Sequence, residues 1–250
     1  MNLRGPTVPA PVHPPDPPTR FRAVAAAVLA YAVAMAFLES AVVVYLQRAL
    51  GIDPRALFPL PDPILTGDFA AIEVGREAAT LVMLGTVGWL AGRSGLERLA
   101  WTVVAFGTWD IFYYFWLWAF IGWPSSLGTR DLLFLFPVPW TGPVWAPVAV
   151  SLGLAGFGLA AARRIRGGWP VRAGRAQVVA GVAGGLVVIL SFALDAGRIL
   201  AGGAPDAFAW PIFAVGLAIA AWGATTALGA PTDYLARAPT TSPTGPPPDR

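Results

Sequence analysis

Residues 23–46 read AVAAAVLAYAVAMAFLESAVVVYL, 24 residues with a single charged side chain, Glu39. At about 1.5 Å of rise per helical residue, roughly 20 apolar residues cross the ~30 Å hydrocarbon layer of a bilayer. A cleavable signal has an apolar region of only about 7–15 residues, so this stretch reads as a retained first span. Five more apolar segments follow, at about 69–92, 99–122, 144–162, 177–201 and 207–229. Lipid offers no partner to a backbone amide, so each is expected to be a helix. The fold class that follows is all-α, a polytopic transmembrane bundle of six spans.

Composition agrees. Of 250 residues, 56% are hydrophobic and 12% charged, about half the usual charged share of a soluble domain. Mean hydropathy is +0.62. Cysteine is absent and the single histidine, His13, lies in a Pro-rich leader. Thiolate metal sites, cysteine nucleophiles and an intramembrane Ser–His pair are thereby excluded, and haem and zinc are disfavoured. No P-loop, GxGxxG, GxSxG or HExxH occurs. Residues 1–20 and 231–250 are Pro-rich and read as solvated tethers flanking a transmembrane domain over 21–230.

All 17 basic residues are arginine. With the N-terminus inside, twelve fall in inner segments: Arg4, Arg20, Arg22, Arg93, Arg98, Arg163, Arg164, Arg166, Arg172, Arg175, Arg237 and Arg250. Arg48, Arg55, Arg130 and Arg198 fall outside, and Arg76 lies within span two. This bias places both termini in the cytoplasm of a bacterial inner membrane. The arginines are scattered between spans rather than gathered on one face, so nucleic acid is not an expected partner. The lipid bilayer is, and other membrane subunits fit the same surface.

Two outer connections stand out. Residues 47–68 are long and acidic. Residues 123–143 hold Leu132-Leu133-Phe134-Leu135-Phe136 followed by Pro137-Val138-Pro139-Trp140. That run is too short to cross and reads as an interfacial or re-entrant segment between spans three and four. Trp123, Trp140 and Trp145 suit an aromatic belt at the outer boundary. The ring-rich third span, from Trp101 to Phe120, reads mainly as packing and lipid contact. Gly88/Gly92 and Gly181/Gly185 have the GxxxG spacing that allows close helix approach. Pro147 and Pro211 are candidate helix breaks.

The most informative residues are the intramembrane charges: Glu39, Glu73, Arg76, Glu77, Asp110, Asp195 and Arg198. A charge at the bilayer centre costs on the order of 2.5–3.5 kcal/mol on insertion scales, so such residues face one another or a wet cavity. Glu73 and Glu77, four residues apart, share a helix face with Arg76 beside them, and Asp195 and Arg198 are three apart. Both glutamates are expected to meet Arg198, Asp195 or Glu39, with Asp110 turned to the bundle interior and supported by Tyr113, Tyr114 and Trp140. Five acids against two arginines leave carboxyls that ion pairing alone cannot balance. Protonation, hydration or a hard divalent cation would meet that surplus; no other cofactor is evident.

The strings Arg76-Glu77-Ala78-Ala79-Thr80, Trp109-Asp110-Ile111-Phe112-Tyr113-Tyr114, Gly122-Trp123-Pro124-Ser125-Ser126 and Pro137-Val138-Pro139-Trp140 resemble those of an uncharacterised group of bacterial multi-pass membrane proteins. The resemblance covers about 70–150 and implies no activity. Three roles fit the residues: an accessory or assembly membrane subunit locked by ion pairs, which the sequence favours; a proton- or cation-coupled transporter or channel; and an outer-leaflet enzyme modifying a lipid or isoprenoid.

Overall fold

A computed structural model describes residues 16–53, 55, 57–60, 67–171 and 174–229. The leader up to residue 15 and the tail from 230 lie outside the described residues. The chain forms α1 (Pro18–Leu50), α2 (Gly67–Ala91), α3 (Gly95–Ile121), strands β1 (Arg130–Phe134) and β2 (Trp140–Pro143), α4 (Trp145–Arg166), α5 (Arg175–Ala193), a short α6 (Ala196–Leu200) and α7 (Trp210–Leu228). Five helical stretches are long and apolar enough to cross a membrane: α1, α3, α4, the α5–α6 stretch Arg175–Leu200, and α7. α2 has the length, at 25 residues, but carries Glu73, Arg76 and Glu77 in its first half.

Local signals set the helix ends. Pro18 opens α1, where its fixed φ suits a first helical position and its missing N–H costs nothing. Gly51, at φ 68°, closes α1 in the left-handed region that favours glycine. The Ser94 hydroxyl caps α3 by accepting the Glu97 amide at 3.3 Å. Pro147 and Pro211 begin helices rather than break them. Each sits in a first turn, where no intrahelical donor is lost.

α3 is the hub, packing on α1, α2 and α4. Its crossing with α4 is backbone-close. A Cβ on Gly107 would lie 2.4 Å from the Ser151 carbonyl, and one on Gly158 would lie 2.5 Å from that of Ala100. α5 and α7 form a second pair on the same principle, through Gly184 and Gly216. Gly88 and Gly92 do bring α2 against Thr102 and Arg98 of α3. Gly181 and Gly185 do not serve close approach through their Cβ positions, both of which are open; the tight residue between them is Gly184. The aromatic side chains of α3 divide as expected between packing and exposure. Trp101, Trp109 and Tyr114 are buried while Phe115 and Trp118 are exposed.

The segment after α3 is an antiparallel hairpin, with Arg130 opposite Pro143 and Asp131 opposite Gly142, irregular between Leu132 and Phe134. A two-stranded ladder pairs the amides of a run too short to be a helix, and Pro137 and Pro139 stop it from continuing as one. Trp123 is buried against Tyr114, 6.3 Å between ring centroids, rather than placed in an outward belt. Trp145 is exposed and stacks on Trp210 at 4.3 Å.

At the end of the bundle away from the hairpin, Asp16, Arg93, Glu97 and Arg166 form one network around the buried Glu97 and Arg166, with Arg93 at its exposed edge. Arg166 donates to Glu97 at 2.5 Å and to the Ala91 carbonyl at 2.8 Å, and Arg93 donates to Asp16 at 2.9 Å. Trp101 adds an indole N–H to Glu97 at 3.3 Å. Two cations balance two carboxylates, and the network ties the leader, the α2–α3 turn and the end of α4 together. Asp16, within the stretch expected to be a free tether, is therefore held in this network.

Candidate functional site

Three of the expected residues meet under the hairpin. Arg76 of α2 ion-pairs with Glu39 of α1 and with Glu73 one turn away, the latter at 2.8 Å. Thr80, one turn beyond Arg76, donates to Glu39 at 3.1 Å. Glu39 and Glu73 are both buried. The periodicity that put Glu73 and Glu77 on one face is correct, but the two glutamates take different partners. Glu77 accepts the backbone amide of Leu135 at 2.8 Å and that of Phe136 at 3.3 Å. It caps the strand edge just past β1, where apolar surroundings would otherwise leave those donors bare.

Asp110 is buried and accepts the Ser151 hydroxyl of α4 at 2.8 Å. Its expected supporters do other work. Tyr114 donates to Asp131 at 3.0 Å, and Tyr113 packs between Trp109 and Tyr114. Trp140 lies edge-on to Phe134 across the hairpin. Asp195 and Arg198 do not join this cluster. Arg198 pairs with Asp206, and Asp195 accepts the Asp206 amide at 3.1 Å; the Arg198 and Asp206 side chains are more than half exposed. They fasten the loop before α7 to its own neighbourhood, since α5 pairs with α7 rather than with α1 or α2.

Asp131 belongs to the site and was not among the expected residues. It is buried, held by Tyr114 and by the Leu132 amide at 2.8 Å. Burial pushes its carboxyl up to about 7, against the pull of both hydrogen bonds, and the nearby Asp110 charge adds to the rise. Asp131 lies in the 123–143 connection, where the sequence alone gives no sign of burial; only the strand register turns it inward.

These side chains enclose a polar pocket of about 120 Å³, lined by Glu39, Glu73, Arg76, Glu77, Asp110, Asp131, Tyr113, Tyr114, Trp109 and Trp123 among others. Neutral donors meet the carboxyl surplus: Ser151, Thr80, Tyr114 and the hairpin amides. Among the described residues no three acidic side chains are arranged to hold a metal ion.

A second, apolar cavity of about 1000 Å³ lies between the α3–α4 face and the α5–α7 pair. Glu77, Asp110, Leu133 and Phe134 line both spaces, so the polar pocket and the apolar cavity adjoin along these four residues. Gly153 and Gly156 of α4 and Gly181 and Gly185 of α5 face the cavity, and a Cβ on any of them would meet nothing within 4 Å. The missing side chains at these positions widen the space.

No protein-family model, curated protein or solved structure matches the chain.

Proposed function

We propose that this chain is a six-span integral membrane protein that holds a lipid-like amphiphile in its outer-leaflet half. The polar head occupies the pocket under the hairpin and the apolar body the cavity between α4 and the α5–α7 pair. α2 serves as the sixth span, its three charges spent on the pocket. The arginine bias puts the hairpin end outside and the Asp16–Arg166 end in the cytoplasm.

The observation that carries this reading is the shared wall of Glu77, Asp110, Leu133 and Phe134. Ligand sites are mostly apolar with a few convergent polar groups, within about 300–1,000 Å³. A space at the upper end of that range, with its acids confined to one end, has the polarity profile of an amphiphile. The accessory-subunit and transporter readings use the same buried charges, and neither accounts for the cavity.

The test is lipid retention. The full chain, purified in mild detergent, is extracted and its bound lipid measured by mass spectrometry, beside Gly153→Leu and Gly181→Leu. A Cβ at either position meets nothing within 4 Å, so each leucine side chain starts into the cavity. The expected result is stoichiometric lipid on the wild type and at least a fivefold loss in the double variant with its thermal stability kept. Equal retention by both proteins, or none by the wild type, overturns the reading.

A further inference from the structure

The polar pocket carries information about the head it receives, and the inference rests on the amphiphile reading above. Its wall combines an acid surplus with aromatic rings. Glu39, Glu73, Glu77, Asp110 and Asp131 face one cation, Arg76. Four rings from α3 and the turn after it, Trp109, Tyr113, Tyr114 and Trp123, pack in series in the same wall. Carboxylates and ring faces both favour a cation.

A second observation is independent of the acids. Trp109 and Trp123 are 5% and 4% exposed, and the indole N–H of each finds no acceptor among the described residues. Buried donors are ordinarily satisfied, and an unmet one costs about 1–3 kcal/mol. Two such donors in one wall call for a bound group that brings acceptor oxygens. A bare cation cannot meet that need, and an anion alone would face five carboxyls.

We propose that the pocket binds a primary ammonium group with oxygens close beside it, the chemistry of an ethanolamine-type lipid head. The ammonium N–H groups donate to the carboxylates, which a quaternary ammonium cannot do. The adjoining oxygens accept from the two indoles and lie nearest Arg76.

The experiment is native mass spectrometry of the full chain, delipidated and then titrated with phosphatidylethanolamine, phosphatidylcholine and phosphatidylglycerol of identical acyl chains. Trp109→Phe and Trp123→Phe are run beside the wild type. Phosphatidylethanolamine is expected to bind at least tenfold more tightly than the other two. Each Phe variant is expected to lose about five- to tenfold in that affinity, the worth of one hydrogen bond. Phe also removes buried ring volume, so each variant is expected to melt somewhat below the wild type without lipid, and the headgroup preference is the readout that tests the site. A purely structural tryptophan would move that temperature and leave the headgroup preference alone. Equal binding of all three lipids overturns this inference and leaves the amphiphile reading standing; binding of none overturns both. Binding of free ethanolamine without the lipid keeps the ammonium site and overturns its lipid source.

Discussion

Replacing Gly153, Gly156, Gly181 and Gly185 together by alanine should make the protein more stable and a poorer lipid binder. Glycine inside a helix is worse than alanine by roughly 0.5–1 kcal/mol, because more backbone freedom is lost on folding. That penalty is normally accepted where a Cβ would collide. Here no atom lies within 4 Å of any of the four Cβ positions, so the gain is unopposed. Summed over four sites, that gives at most about 2–4 kcal/mol. The readout is reversible unfolding in mixed micelles, followed by tryptophan fluorescence, with lipid retention measured on the same preparations. Gly107→Ala and Gly158→Ala are the internal contrast, since their Cβ atoms would lie 2.4 and 2.5 Å from backbone carbonyls of the facing helix. Both should destabilise. If the fourfold alanine variant instead loses stability, those glycines serve packing and the cavity argument fails. If it gains stability and keeps its lipid, the cavity is not where the lipid sits.

Arg166→Met should destabilise by about 3–5 kcal/mol, because it leaves Glu97 and Asp16 buried with only Arg93 between them; the same unfolding assay checks it. Asp131 makes stability depend on pH in an unusual direction. Its folded pKa, about 7, lies above the unfolded value of 3.8, so the folded protein binds the proton more tightly. Stability should be greatest below pH 4 and fall as pH rises to 7, by at most about 4 kcal/mol at ~1.4 kcal/mol per unit. Asp131→Asn should flatten that slope across pH 4–7 in melting curves, and an unchanged slope would assign the dependence elsewhere.

The helices were legible because lipid leaves the backbone little choice, and length with apolarity marks such segments directly. Spacing groups acids along one helix. Spacing does not say which helices touch, so it puts Asp195 and Arg198 with Glu39 and Glu73, although α5 turns to α7 through Gly184 and Gly216. The hairpin was harder still. Leu132–Phe136 has no clear alternation, and nothing local announces that Trp140–Pro143 returns beside it. Without that pairing the burial of Asp131 and the role of Glu77 are invisible, since both depend on backbone donors of the strand. Glu97 and Arg166 were missed for a different reason. Each lies at a helix end next to polar turns, where a charge is ordinarily solvated, and only the approach of α4 to the α2–α3 turn buries them.

The two buried charge clusters differ in a way that separates scaffold from site. At the Asp16 end, two arginines face two carboxylates, backbone and indole donors fill the remaining positions, and the network closes on itself. A balanced, fully bonded cluster needs nothing from outside, and its loss is read as lost stability. Under the hairpin, one arginine faces five carboxyls, neutral hydroxyls and amides supply the other donors, and two indole N–H groups are left over. That arrangement has acceptors in excess of charge-matched donors and donors without acceptors, in the same small space. Further internal pairing would have satisfied both at once had the fold alone been at stake. A bound group carrying a cation and oxygens satisfies both, and the apolar cavity adjoining the pocket along Glu77, Asp110, Leu133 and Phe134 provides room for the chain attached to it.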